Sequence, residues 1–196
     1  GPERARNRKG GRLMESLNDA VTRALEAGCS LGELALREEA AEGLRTRAEL
    51  EAGLGRALGV MRGAVARGLP GDLHSVSGLV GGDAARLNRL TGPLSGTLFT
   101  DVLANALAVQ EVNAAMGVIV AAPTAGGAGV LPAVLLGVAK QKGIDDAHLI
   151  DALATAGLIG AVVAHRASLS GAEGGCQAET GAAAVGPLTC EGEPLG

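Results

Sequence analysis

Aromatic residues are almost absent from this sequence: Phe99 stands alone, and there is no Trp or Tyr. Proteins that read single-stranded nucleic acid by stacking bases on aromatic rings need more than one such platform, so that class is excluded. Excess positive charge is missing too, since the net charge is −4, and a general affinity for phosphate backbones goes with it. Nucleic acid is therefore not an expected partner. Cysteines number three (Cys29, Cys176, Cys190), an odd count that does not make a disulfide framework, and the first residues lack the pattern of a secretory signal. Both point to a reducing, cytoplasmic setting. Neither a P-loop nor a G-x-G-x-x-G string occurs, which leaves nucleotide binding unsupported. Asn-Gly and Asp-Gly hairpin signals are also lacking, and no stretch alternates with a period of two. The fold class that remains is all-α.

What the chain does have is glycine, 32 of 196 residues, or about 16% against a usual ~7%. Without a G-X-Y period, this surplus implies close helix packing or sites lined by backbone. The hydrophobic share is 47%, drawn mainly from Ala, Leu and Val, and the length suits one domain with one core. The first residues are basic (Arg4, Arg6, Arg8, Lys9, Arg12), and 1–11 reads as a solvated, disordered tail.

Leu13, Leu17, Val21 and Leu25 recur every four residues, which predicts a helix from Arg12 to Ala27 stopped by Gly28. Ser30 with Glu33, and Thr46 with Glu49, have capping-box spacing, predicting a helix over 34–42 and another running to about Arg67. Asp83 is placed to cap a short helix over 84–90, and Ser95 or Thr97 to open one through Met116. A helix over 131–141 follows, with Pro132 in its first turn, and Asp145 caps the next to about His165. Residues 112–139 carry no Asp, Glu, Lys or Arg, longer than a bilayer requires, but Pro123, Gly126, Gly127, Gly129 and Pro132 divide the run. A buried helix-loop-helix is expected there and no membrane partner.

Three loops pair glycines with short hydroxyl side chains. The first holds Ser75, Ser77, Gly78, Gly81, Gly82 and Asp83, the second Thr124, and the third, 166–175, Ser168 and Ser170. Such loops suit a small anionic ligand, because glycine lets backbone N–H groups approach and hydroxyls donate or accept beside them. Taken singly, each is also what an ordinary turn looks like. The site is expected where a single helical domain gathers all three.

Three strings are more specific: SGLVGGDA (77–84), AVQEVNAAMGVIVAAPTAGGAGVLPAVLL (108–136) and HRASLSGAEGGCQAETGAA (165–183). In this order the chain resembles the α (catalytic) subunit of the iron-sulfur-dependent L-serine dehydratases, over about 12–184. That resemblance implies a [4Fe-4S] cluster, no pyridoxal phosphate, and conversion of L-serine to pyruvate and ammonia. A three-thiolate cluster leaves one iron open to act as a Lewis acid on the serine hydroxyl, and the loops would hold the carboxylate and amine. Cys176, in GGCQAE, falls on the family's first cluster cysteine, with Glu173 and Glu179 on either side. Leu188, Thr189 and Cys190 echo a later Leu-Thr-Cys-Asp-Pro segment, yet Glu191 and Gly192 replace Asp-Pro and no third cysteine follows. Residues 185–196 therefore read as a divergent, irregular tail, and a shortened, inactive scaffold that binds a β chain is the alternative to an active subunit. The family's Ser-Ser-His-Thr region is absent, which implies a separate β subunit as partner, and a homo-oligomer is a further expectation. His74 is a polar candidate beside the first loop; no residue is assigned as the base.

Overall fold

Short hydroxyl side chains decide where the first three helices begin. Ser16 is extended and accepts a hydrogen bond from the Asp19 amide, starting α1 (Leu17–Ala27). The start expected at Arg12 is thus corrected: a local cap at Ser16, one turn before Asp19, overrides the longer leucine period. Gly28 ends α1 in the left-handed conformation, as its position implied. Ser30 accepts from the Glu33 amide and opens α2 (Leu31–Ala41). Thr46 and Glu49 form the full reciprocal capping box of α3 (Arg47–Gly68).

The computed structural model describes residues 16–90 and 94–166. Beyond α3 it contains α4 (Asp83–Asn88), α5 (Thr97–Ala114), α6 (Val130–Lys142) and α7 (Asp146–Arg166). Among the described residues there are seven helices and no strand, as the missing hairpin signals implied. The charge-free run 112–139 divides as expected into the end of α5, a loop, and α6. Among the described residues, the helix long and apolar enough to cross a bilayer is instead α7, over Asp146–Ala164. It is a core helix: Leu149, Leu153, Ala154, Leu158, Ile159 and Val162 are buried.

Long α3 is the axis on which the rest is packed. Its Leu58 and Met61 join Leu131, Leu135 and Ala139 of α6 and Leu149 and Leu153 of α7 in the main core. One turn further on, Ala64 and Val65 join Val109 and Val112 of α5 and Ala128 of the α5–α6 loop. Ala20 of α1 packs on Leu158 and Ile159 of α7. Where alanine or glycine stands at a crossing, backbones come close. A Cβ on Gly68 would overlap the backbone of Ala108 in α5, and one on Gly32 the Asp151 carbonyl oxygen in α7. The glycine surplus is therefore spent partly on helix crossings.

An ion-pair cluster joins α2 to α3. Arg47 donates to both Glu33 oxygens, at 3.0 and 2.5 Å, and Arg37 Nε donates to Oε1 at 2.5 Å. The Arg47 guanidinium first, and then that of Arg37, hold the Glu33 carboxyl down to about 2 from an ordinary 4.5. Because the folded value lies below the unfolded one, the stabilisation is complete above about pH 4.5 and is lost as pH falls toward 2. Both arginines are 40% or more exposed, so screening reduces the contribution to about 1 kcal/mol. Glu33→Gln is expected to lower stability by roughly that amount at pH 7. In urea titrations the gap between parent and variant should close between pH 4.5 and 2.

Candidate functional site

The C-terminal end of α5 carries the polar residues Gln110, Glu111 and Asn113 interleaved with buried Val109 and Val112. A helix that buries its apolar stripe this deeply turns its remaining side chains to whatever covers its end, and here that is two loops. Loop one joins α3 to α4; loop two joins α5 to α6. Leu73 of loop one and Ile119 of loop two pack on the same cluster of Val109, Val112 and Ala128, so both loops rest on one platform.

Loop two is held by amides. Gln110 Nε2 donates to the Gly126 carbonyl at 2.6 Å, and Asn113 Nδ2 to the Ala125 carbonyl at 3.1 Å. Within the loop, the Gly127 amide donates to Thr124 Oγ1 at 3.4 Å and the Ala122 amide to the Thr124 carbonyl at 3.3 Å. The loop leaves α5 by an abrupt turn in which Met116 takes the left-handed conformation, at φ 59°. The Gly117 amide reaches back to the Val112 carbonyl at 2.8 Å and the Met116 amide to that of Asn113 at 3.0 Å, the doubled bond pattern that closes a helix C-terminus. α5 therefore stops at Ala114, two residues short of the expected Met116. Its start falls at Thr97, one of the two residues expected to open it, although neither Ser95 nor Thr97 caps it. Gly96 occupies that position, while Ser95 Oγ lies 3.0 Å from Thr100 Oγ1.

Loop one closes on itself through its serines. The Ser75 amide donates to the Val80 carbonyl at 2.8 Å, and the Val80 amide donates back to Ser75 Oγ at 3.1 Å. Ser75 Oγ and Ser77 Oγ are 3.1 Å apart. Gly78 and Gly82 sit at positive φ, 74° and 86°, and a Cβ on Gly81 would strike the Leu73 carbonyl and His74. These residues thus shape a tight turn with two hydroxyls at its tip, where Ser77 is exposed.

Asp83 is the clear correction. It is the first residue of α4, not its cap; Gly82 stands at the cap position and offers no side chain. Asp83 turns outward to Arg86, Oδ1 to Nη1 at 2.8 Å, with 57% of its side chain exposed. The cap comes from another helix. Glu111 Oε1 accepts from the Asp83 amide at 2.7 Å and the Ala84 amide at 3.0 Å. Glu111 is only 2% exposed, and its Oε2 is buried with no hydrogen-bond partner. The sequence reading missed Gln110, Glu111 and Asn113 as site residues. A visible signal was their polarity at the edge of an otherwise apolar run.

Loops one and two are thus brought to one helix end. Ser168, Ser170, Cys176 and Cys190 lie outside the described residues. Among the described residues no group of three His, Cys, Asp or Glu side chains could hold a metal ion. Cys29 is half-buried at the turn between α1 and α2, its amide donating to the Ala24 carbonyl at 3.1 Å. His74 is exposed, and His148 is engaged with Asp145 at the start of α7.

Fold and loops together define an all-α domain whose candidate site is assembled from inter-helical loops on one helix end. By sequence, the chain belongs to the serine dehydratase alpha chain family, whose model matches residues 26–193. It is 50% identical over 129 residues to the probable L-serine dehydratase alpha chain of Bacillus subtilis, covering 64% of this chain and 43% of that protein. The L-serine dehydratase alpha chain of Peptoniphilus asaccharolyticus is 30% identical over 187 residues, 94% of this chain and 64% of the relative. L-serine dehydratase 2 of Escherichia coli is 37% identical over 183 residues, 86% of this chain and 38% of the relative. The chain therefore spans less than two thirds of the length of each of these relatives.

Proposed function

We propose that this chain is the loop-bearing part of an L-serine dehydratase, a lyase that takes water from L-serine and releases pyruvate and ammonia in the cytoplasm. The observation that carries the reading is the shared anchoring of loops one and two on the C-terminal end of α5, within the region the family model matches. Backbone amides of Gly81 and Gly82, with the hydroxyls of Ser75, Ser77 and Thr124, supply donors for a carboxylate and acceptors for an ammonium, while the Gly78 amide is turned inward to the Ser75 carbonyl at 2.8 Å and shapes the turn. Asp83 would act from the rim, and Ser168 and Ser170 would complete the set. In the elimination the Cα proton and the Cβ hydroxyl leave as water, and the aminoacrylate formed hydrolyses to pyruvate and ammonium. The described residues contribute binding and orientation to this sequence of events.

The described residues offer no ligand set for the [4Fe-4S] cluster that the resemblance implies; Cys176 and Cys190 are its candidate ligands. The reading also includes a β chain. Val76, Leu79, Leu94, Phe99, Met116 and Val118 are each 60% or more exposed, and apolar surface of this kind on the loop-bearing segments suits a partner subunit. The direct test is L-serine binding by calorimetry. Ser77→Ala and Thr124→Ala are each expected to weaken it by about 1–3 kcal/mol, because each removes a hydroxyl partner from a desolvated polar ligand. Helix content should stay unchanged. Affinities equal to the parent's would return both residues to ordinary turn roles.

A further inference from the structure

We propose that Glu111 is a positioning residue: it sets loop one against loop two by capping, from α5, the short helix into which loop one runs. The inference rests on the L-serine reading of the loops and adds to it a residue whose hydrogen bonds go to the start of α4 and not to the turn at Ser75–Val80. Local chemistry leaves this job open. The cap position of α4 is held by Gly82, which has no side chain to cap it, and Asp83, the first residue of the helix, faces Arg86 instead. Both leading amides of α4 are satisfied by one carboxylate oxygen 27 and 28 residues further along the chain. A cap drawn from within the segment would stabilise α4 wherever it lay. A cap drawn from α5 fixes α4, and with it the glycine turn at 81–82, at one place on the platform.

The neighbouring residues give the arrangement its meaning. Gln110 and Asn113, one residue before Glu111 and two after it, hold the Gly126 and Ala125 carbonyls of loop two. One helical turn therefore grips both loops, loop one through an acceptor and loop two through two donors. Stability alone does not account for a carboxylate here. Glu111 is 2% exposed and its Oε2 is unpartnered, and a half-used buried carboxylate costs free energy that an apolar side chain would not. What the carboxylate supplies is an acceptor at a fixed point on α5.

The test uses the full chain and three substitutions, Glu111→Leu, Glu111→Asp and Glu111→Gln, read by amide hydrogen exchange and by L-serine calorimetry. Leucine has no acceptor and aspartate is one methylene too short to reach, whereas glutamine keeps a carbonyl oxygen for the two amides. In the Leu and Asp variants, exchange at Asp83 and Ala84 is expected to rise at least tenfold while Gly127, Ala128 and the interior of α3 stay unchanged. L-serine affinity should fall at least tenfold with them, and Glu111→Gln should restore both to within threefold of the parent. If leucine leaves the chain unfolded, the Asp variant decides. Faster exchange spread evenly over α3, α4 and loop two would overturn the proposal, as would a folded Asp variant that binds L-serine like the parent. Should the parent itself bind no L-serine, the functional reading falls, and the exchange pattern at 83–84 against 127–128 alone decides whether Glu111 positions loop one.

Discussion

Gly68→Val is expected to lower the free energy of unfolding by about 3 kcal/mol, the upper part of the range for overpacking a close-packed interior. Gly68 is the last residue of α3 and is buried, and a Cβ there would overlap the carbonyl oxygen, carbonyl carbon and Cα of Ala108. A flexible side chain could move aside; the backbone of α5 cannot do so without carrying its whole turn along. Helix propensity acts in the opposite direction but weakly, since β-branched valine is better than glycine in a helix by only roughly 0.3–0.5 kcal/mol, so the sign reports which effect is larger. Gly63 on the same helix is the control. It is exposed, with open space where its Cβ would lie, and Gly63→Ala should raise stability by about 0.5–1 kcal/mol. Thermal melts read both: for a chain of this length 1 kcal/mol moves the midpoint by roughly 2–4 °C. Gly68→Val should therefore lose roughly 6–12 °C and Gly63→Ala gain a few. Equal behaviour of the two variants would mean that α3 and α5 are not in backbone contact.

Part of this fold is legible in the chain itself and part is not. Capping is local, and so Ser30, Thr46, Gly28 and Asp145 announced their helix ends within one turn of sequence; the His148 amide indeed donates to Asp145 Oδ1 at 3.0 Å. Ser16 is hidden in the sequence by a leucine period that extends past the start of its helix. The split of 112–139 was legible from Pro123 and the glycines around it. Asp83 misled because its type and position fit an N-cap, and nothing within the segment reveals that a carboxylate from Glu111 takes that role. The candidate loops were visible as composition, yet their common platform was not. It depends on Gln110, Glu111 and Asn113 reaching residues 12 to 28 positions away. Such pairings are set by helix packing, and no local pattern encodes which loop a given amide will meet.

Cys176→Ser is expected to lower the iron and sulfide bound by the chain assembled anaerobically with a β chain, and to abolish whatever pyruvate formation from L-serine that assembly supports, while leaving the helical domain folded. The proposal makes Cys176 a cluster ligand, and a serine hydroxyl is a poor substitute for a soft thiolate, being almost wholly protonated at neutral pH. Two measurements separate the causes of any loss. Iron and sulfide per chain should fall together with activity. L-serine binding at the loops should persist to within a few-fold, because Ser77, Thr124 and their anchors on α5 belong to segments that the substitution does not alter. Cys29→Ser is the matched control: its thiol lies at the α1–α2 turn, on a segment distinct from both loops, and its replacement should leave iron content and turnover unchanged. If Cys176→Ser retains full activity, the iron-sulfur reading of this chain fails. If parent and variant both bind L-serine and neither turns it over with iron present, the chain serves as a binding scaffold for the β chain.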